Sequence, residues 1–131
     1  MKIADNLLTR TKALPAAGAA AVTDSIDLKA EEVGPIGANL EVHVEIPALA
    51  SLADDKDAVV SFEDSADDST FAAVTEMGSL TVTGAGGAGS SAATERFYLP
   101  PSVKRYLRAT TSVEASGGDN TGDSITVKVR V

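Results

Sequence analysis

The chain has 131 residues, no cysteine and a formal charge of −8, from 11 basic against 19 acidic side chains. A chain of this size supports one viable core, and 44% hydrophobic against 23% charged residues is a globular composition, so a single folded domain is expected. The missing cysteines exclude disulfides, thiolate metal sites and thiol nucleophiles, and the acidic balance opposes nucleic-acid binding, which needs cations to neutralise phosphates.

At the N-terminus, Met1–Arg10 lacks the basic-then-apolar order of a signal peptide. No run approaches the ~20 apolar residues of a membrane span, so the expectation is a soluble, unexported protein with no membrane contact. Asp5–Ala13 is compatible with one short helix. Pro15–Ala21 has no polar face and contains Pro15 and Gly18, which predicts an extended leader. Residues 1–23 are therefore expected to form an N-terminal arm, with the folded domain over 24–131. The leader also carries more alanine than a solvent-exposed tail needs, and this predicts a homodimer or homotrimer.

Beyond the leader the apolar pattern has period two. A short strand is predicted at Ser25–Leu28. Leu40, Val42, Val44 and Ile46 then alternate with Glu41, His43 and Glu45, and Pro47 closes the strand. Val59–Asp64, Phe71–Glu76, Ser79–Thr83, Glu95–Leu99 and Tyr106–Ala115 are each of strand length, bounded by Gly, Pro, Asp or Ser. At the far end Ile125, Val127, Val129 and Val131 alternate with Thr126, Lys128 and Arg130. About eight strands, and no helix long enough to join parallel ones, predict an all-β fold: an antiparallel, jelly-roll-like β-sandwich of about eight strands with an extended N-terminal arm. Its core should contain Leu40, Val42, Val44, Ile46, Ile125, Val127 and Val129, with Glu41, Glu45, Lys128 and Arg130 outside.

Charge is segregated along the chain. Residues 24–76 hold fourteen acids against Lys29 and Lys56, a balance of −12, whereas residues 95–131 hold six cations against four acids, a balance of +2. One molecule could thereby dock in a fixed orientation on another surface; ordinary solubility charge is the alternative.

Few motifs suggest chemistry. Gly84, Gly86 and Gly89 match a dinucleotide fingerprint, but a strand follows where a phosphate site needs a helix N-terminus, so a flexible hairpin loop is expected. The clusters Asp64, Asp67, Asp68 and Asp119, Asn120, Asp123 lack the spacing of a calcium loop and fit turn chemistry, so no metal is predicted. His43 is the only imidazole, shares its outward face with Glu41 and Glu45, and has no nucleophile motif beside it. Paired carboxylates for sugar hydrolysis would want aromatic platforms, and the chain has no Trp and two Tyr. No catalytic residue, enzyme activity or cofactor is expected.

The densest constellation is Glu95–Arg108. Arg96, Lys104, Arg105 and Arg108 are interleaved with Phe97, Tyr98 and Tyr106, and Arg and Tyr are the residues that anchor protein interfaces. Arg96, Tyr98, Lys104, Arg105, Tyr106 and Arg108 are accordingly the candidate contacts to a partner or a sister subunit. The competing reading is a core hairpin whose cations pair with the acidic half.

Asp64-Ser-Ala-Asp-Asp-Ser-Thr-Phe71, then Phe97-Tyr-Leu-Pro-Pro-Ser-Val-Lys-Arg-Tyr-Leu-Arg108, after an Ala-rich leader ending in Ser25-Ile-Asp-Leu28, together resemble the capsid cement (decoration) proteins of short-tailed bacteriophages. The likeness spans most of residues 16–131; it leaves out the Gly84–Gly89 loop, and Met1–Lys12 follows it only loosely. It implies a small jelly roll, made in the host cytoplasm, that binds as an oligomer to the outside of the assembled head and bridges neighbouring major capsid proteins. Similar turns and strands occur in carbohydrate-binding jelly rolls, so a glycan-binding module of a phage structural protein is the alternative.

Overall fold

The computed structural model of the chain describes residues 9–28, 41–100 and 102–130. Its strands are β1 (Thr9–Ala13), β2 (Ala20–Val22), β3 (Ile26–Asp27), β4 (Glu41–Ile46), β5 (Asp57–Ser65), β6 (Ala72–Ala73), β7 (Leu80–Thr83), β8 (Ala93–Tyr98), β9 (Tyr106–Val113) and β10 (Ser124–Arg130). Every pair of strands is antiparallel. The first sheet has the order β1-β10-β4-β8; in the second, β9 pairs with β5 on one side and with β2 and β3 on the other, and β6 and β7 share the far side of β5. Counting β2 with β3 and β6 with β7 as single positions leaves eight, four to a sheet. From β4 onward the chain passes first sheet, second, first, second, first, which is the wrapping of a jelly roll.

The period-two pattern sets the two layers. Val42, Val44 and Ile46 of β4 and Ile125, Val127 and Val129 of β10 are all buried, at 2% exposure or less, while Glu45 and Lys128 lie outside and Glu41 is half-buried. A one-residue slip of either strand would invert this arrangement. Ala58, Val60 and Phe62 of β5 and Leu107, Ala109 and Val113 of β9 supply the facing layer. Phe62 meets Phe97 edge to face, with ring centroids 5.0 Å apart, so the two sheets are pinned through their largest buried side chains. Leu40 and Val131 lie outside the described residues.

Three expectations about the elements need correction. Segments of the expected arm already belong to the sandwich: β1 pairs with β10 and β2 with β9, and Leu14 between them is buried at 2% exposure. The short helix expected over Asp5–Ala13 is replaced by β1 across its described part. Thr-Arg-Thr-Lys-Ala carries no apolar alternation because β1 is an edge strand, where an exposed Lys12 discourages further pairing. Arg10 also ties the sheets together, donating from Nε and Nη2 to the Ser25 carbonyl at 3.2 and 3.0 Å. Phe71–Glu76 is a strand only at Ala72–Ala73; a 3-10 turn, Thr75–Met77, follows and buries Met77.

Three loops close one end of the sandwich. The Leu49 and Ser90 backbones exchange hydrogen bonds at 3.0 and 3.1 Å, Ala53 N–H donates to Gly117 O at 3.0 Å, and Asp55 N–H donates to Gly84 O at 2.9 Å. The Gly84–Gly89 segment is thus a docked turn and not the flexible loop its composition suggested. Gly87 N–H donates to Asp54 Oδ1 at 2.8 Å. A Cβ on Gly84 would strike the carbonyl oxygens of Leu52 and Ala53, and Gly89 combines a φ of +76° with the Leu49 carbonyl where its Cβ would stand.

Candidate functional site

The segment 95–108 is contiguous in sequence but divided in space. β8 belongs to the first sheet and β9 to the second, so the crossover between them places the six candidate contacts on opposite sides of the sandwich. Arg96 and Tyr98 point outward from the first sheet. Tyr106 and Arg108 lie on the outer side of the second sheet, beside Asp27 of β3 and Glu63 of β5 in register. Lys104 and Arg105 stand in the crossover just before β9. No single flat partner can touch all six.

On the second sheet the cations are engaged by the acidic half of the chain. Arg105 donates from Nε and Nη2 to the two carboxylate oxygens of Asp27 at 2.9 and 2.8 Å, a bidentate pair that raises its already high pKa. Its guanidinium also lies 5.0 Å from the Tyr106 ring centroid. Arg108 pairs with Glu63 at 2.7 Å and covers the Phe71 ring at 3.9 Å. The Lys104 backbone N–H donates to the buried Asp64 carboxylate at 3.0 Å, while its ammonium has no ion pair among the described residues. The competing reading, internal pairing, therefore describes Arg105 and Arg108.

The first sheet presents a different face. Register places Thr9, Lys128, His43 and Arg96 in one cross-strand row over β1, β10, β4 and β8, with Arg130, Glu41 and Tyr98 in the next. Glu41 lies between two partners, His43 Nε2 at 3.2 Å from Oε1 and Arg96 Nη1 at 3.8 Å from Oε2. The His43 hydrogen bond above all, with the Arg96 charge beside it, holds the Glu41 carboxyl below the usual carboxylate range. Arg96 remains 58% exposed, and Tyr98, at 64%, is the most exposed large apolar side chain described. His43 and Lys128 belong with Arg96 and Tyr98, a grouping that separation in sequence conceals and strand register reveals.

The acidic clusters form turns. Asp67 accepts from Ser65 Oγ at 2.8 Å and from the Ser69 and Thr70 N–H groups at 3.0 Å each; these bonds, that from Thr70 first, lower its pKa. Asp119 accepts from Thr121 Oγ1 at 2.6 Å and Thr121 N–H at 3.1 Å, again with a lowered pKa. Among the described residues no group of three or more His, Asp or Glu is placed to hold a metal ion. None of their helices is long and apolar enough to cross a membrane. A depression of about 290 Å³ lies at one end of the first sheet, lined by Glu45, Ile46, Pro47, Ala93, Ser124 and Thr126; it holds neither His43 nor an aromatic side chain.

No curated protein matches the chain in sequence. Among solved structures it is similar to the PBSX exported protein XepA, with a TM-score of 0.53 and 17% identity over 99% of this chain and 36% of that one. It is also similar to the subunit of Bacillus endospore appendages described as disulfide-linked pili (TM-score 0.51, 14% identity, 98% of this chain and 86% of that one). PirA gives a TM-score of 0.51 at 12% identity, over 93% of both chains. At such identities the likeness is one of fold. Sequence is more specific: residues 9–129 match the family model described as Bbp16, and the chain belongs to the Bbp16 family.

Proposed function

We propose that this protein is a capsid cement, or decoration, protein of a short-tailed bacteriophage, which binds the outer surface of the assembled head and stabilises it by bridging neighbouring major capsid proteins. The observation that carries this reading is the exposed first-sheet face, where Tyr98 and Arg96 stand beside His43 and Lys128 on rigid paired strands. Tyr and Arg on a flat, preformed surface are what a protein interface uses as anchors. Under this reading the chain has no catalytic step and no cofactor. It acts by mass action, since a protein that binds the assembled lattice and not its free subunits shifts the equilibrium toward the lattice. Repetition over many symmetric copies adds avidity.

Self-association as a dimer or trimer belongs to the same proposal. Its support is the exposed alanines Ala16, Ala17, Ala19 and Ala20 with Val22 (36% exposed), which lie along and before β2. The alternative, a glycan-binding module, needs an exposed aromatic platform. The described aromatics leave little for one: Phe62 and Phe97 are in the core, Phe71 lies under Arg108 and Tyr106 against Arg105, which leaves Tyr98 alone.

Co-sedimentation with heads lacking the chain separates the readings. The proposal expects the chain in the pellet at low salt, less of it at high salt, and no retention on a sugar array. Retention on sugars with none on heads would replace cement protein with glycan module.

A further inference from the structure

We infer that the outer face of the first sheet, centred on the cross-strand row Arg96–His43–Lys128 with Tyr98 beside it, docks a carboxylate-rich protein surface, and that protonation of His43 strengthens the contact. The inference goes beyond the proposal above, because it concerns the chemistry of the partner and stands whether or not that partner is a head.

Local charge sets the sign of the partner. The charged residues with described side chains that register assigns to this face are Glu41, Glu45, Arg96 and Lys128, two cations against two acids. The acidic excess of the −8 chain therefore lies elsewhere, and the two cations, both exposed, are what the face offers a partner. Adjacent strands lie about 5 Å apart, so Arg96, His43 and Lys128 form a straight row about 10 Å long. The Lys128 ammonium makes no ion pair among the described residues, and Arg96 reaches Glu41 only at 3.8 Å while staying 58% exposed. Both cations are open to an incoming carboxylate. Glu41 and Glu45 flank the row, and this interleaving suits discrete carboxylates presented by a protein better than the uniform phosphates of a nucleic acid.

His43 sits where its charge changes the row most. Beside it on this face are Glu41 and Glu45 from its own strand, Arg96 from β8 and Lys128 from β10, with Tyr98 and Arg130 in register with Glu41. Its Nε2 lies 3.2 Å from Glu41 Oε1. Neutral, with Nε2–H directed to Glu41, the ring has only an acceptor left; protonated, it keeps that bond and gains Nδ1–H as a donor for a second carboxylate. Protonation thereby turns a gap between two cations into a third positive charge. By linkage, a partner that prefers the protonated ring binds more strongly as pH falls.

The full chain binding to immobilised poly-L-glutamate at pH 5.5 and 7.5 tests this. About fivefold tighter binding at pH 5.5 is expected, the upper range for one exposed ion pair. His43→Gln should abolish that ratio. Lys128→Glu should weaken binding at both pH values, whereas Lys56→Glu, the same change in net charge placed off the row in the loop before β5, should leave it near wild type. Circular dichroism should show the same strand content for all three substitutions. An unchanged pH ratio in His43→Gln, wild-type binding by Lys128→Glu, or equal binding to a single-stranded DNA of matched charge would each overturn the inference.

Discussion

The two outer faces of this sandwich carry cations of the same kind with opposite fates. On the second sheet Arg105 and Arg108 are closed into short pairs with Asp27 and Glu63 and laid over aromatic rings. On the first, Lys128 has no described ion pair and Arg96 only a loose one at 3.8 Å. Net charge along a sequence therefore says little about charge available for docking. What decides it is whether strand register brings an acid opposite, as it does for Arg108 and Glu63, or another basic position, as it does for Arg96 and His43.

The contrast can be broken from the core outward. Phe62 and Phe97 join the layers, so Phe62→Ala should cost about 3–5 kcal/mol and melt both faces in one transition, measurable by urea unfolding. Gly89→Ala should destabilise by about 1–3 kcal/mol by forcing a side chain onto positive φ against the Leu49 carbonyl, loosening the loop end while leaving both faces chemically intact.

The faces themselves separate at smaller magnitudes. Arg108→Ala, which removes an ion pair and a cation–π contact, should cost about 1 kcal/mol. Arg96→Ala should stay within about 0.5 kcal/mol and change binding instead. If both substitutions lowered stability equally, the distinction between an internally paired face and an available one would fail.

Acid gives the most graded comparison. Glu41, Asp67 and Asp119 all have depressed pKa values in the folded protein, so each contributes stability that is complete above the ordinary carboxylate range near pH 4 and is lost as pH falls through its lower folded value. Thermal melts should therefore be flat near neutrality and decline below about pH 4. Asp67→Ala should reduce that decline more than Asp67→Asn reduces stability at pH 7, because the amide oxygen still accepts from Ser69 and Thr70.

Most of the fold was legible because alternation is a strong signal when one face of a strand is buried. β4 and β10 show it, and their described inward residues are those the pattern predicts, while β5 and β9 were legible as strand-length runs bounded by turn residues. β1 was not legible, since an edge strand that buries little has no apolar period. The Gly84–Gly89 turn was misjudged because composition cannot distinguish glycines that confer flexibility from glycines that admit a neighbouring backbone. The candidate site was legible only in part. Residue types marked Arg96 and Tyr98, but their grouping with His43 and Lys128, and their separation from Arg105 and Arg108, depend on pairings between distant segments that no local pattern encodes.

Electron cryo-microscopy of heads reassembled with the purified chain tests the central claim most directly. The account predicts additional jelly-roll density on the outer surface, touching at least two major capsid subunits, with the first-sheet face of Arg96, Tyr98 and Lys128 turned toward the shell. Heads that show no added density at saturating chain would contradict the proposed function, and density with that face turned to solvent would contradict its docking surface.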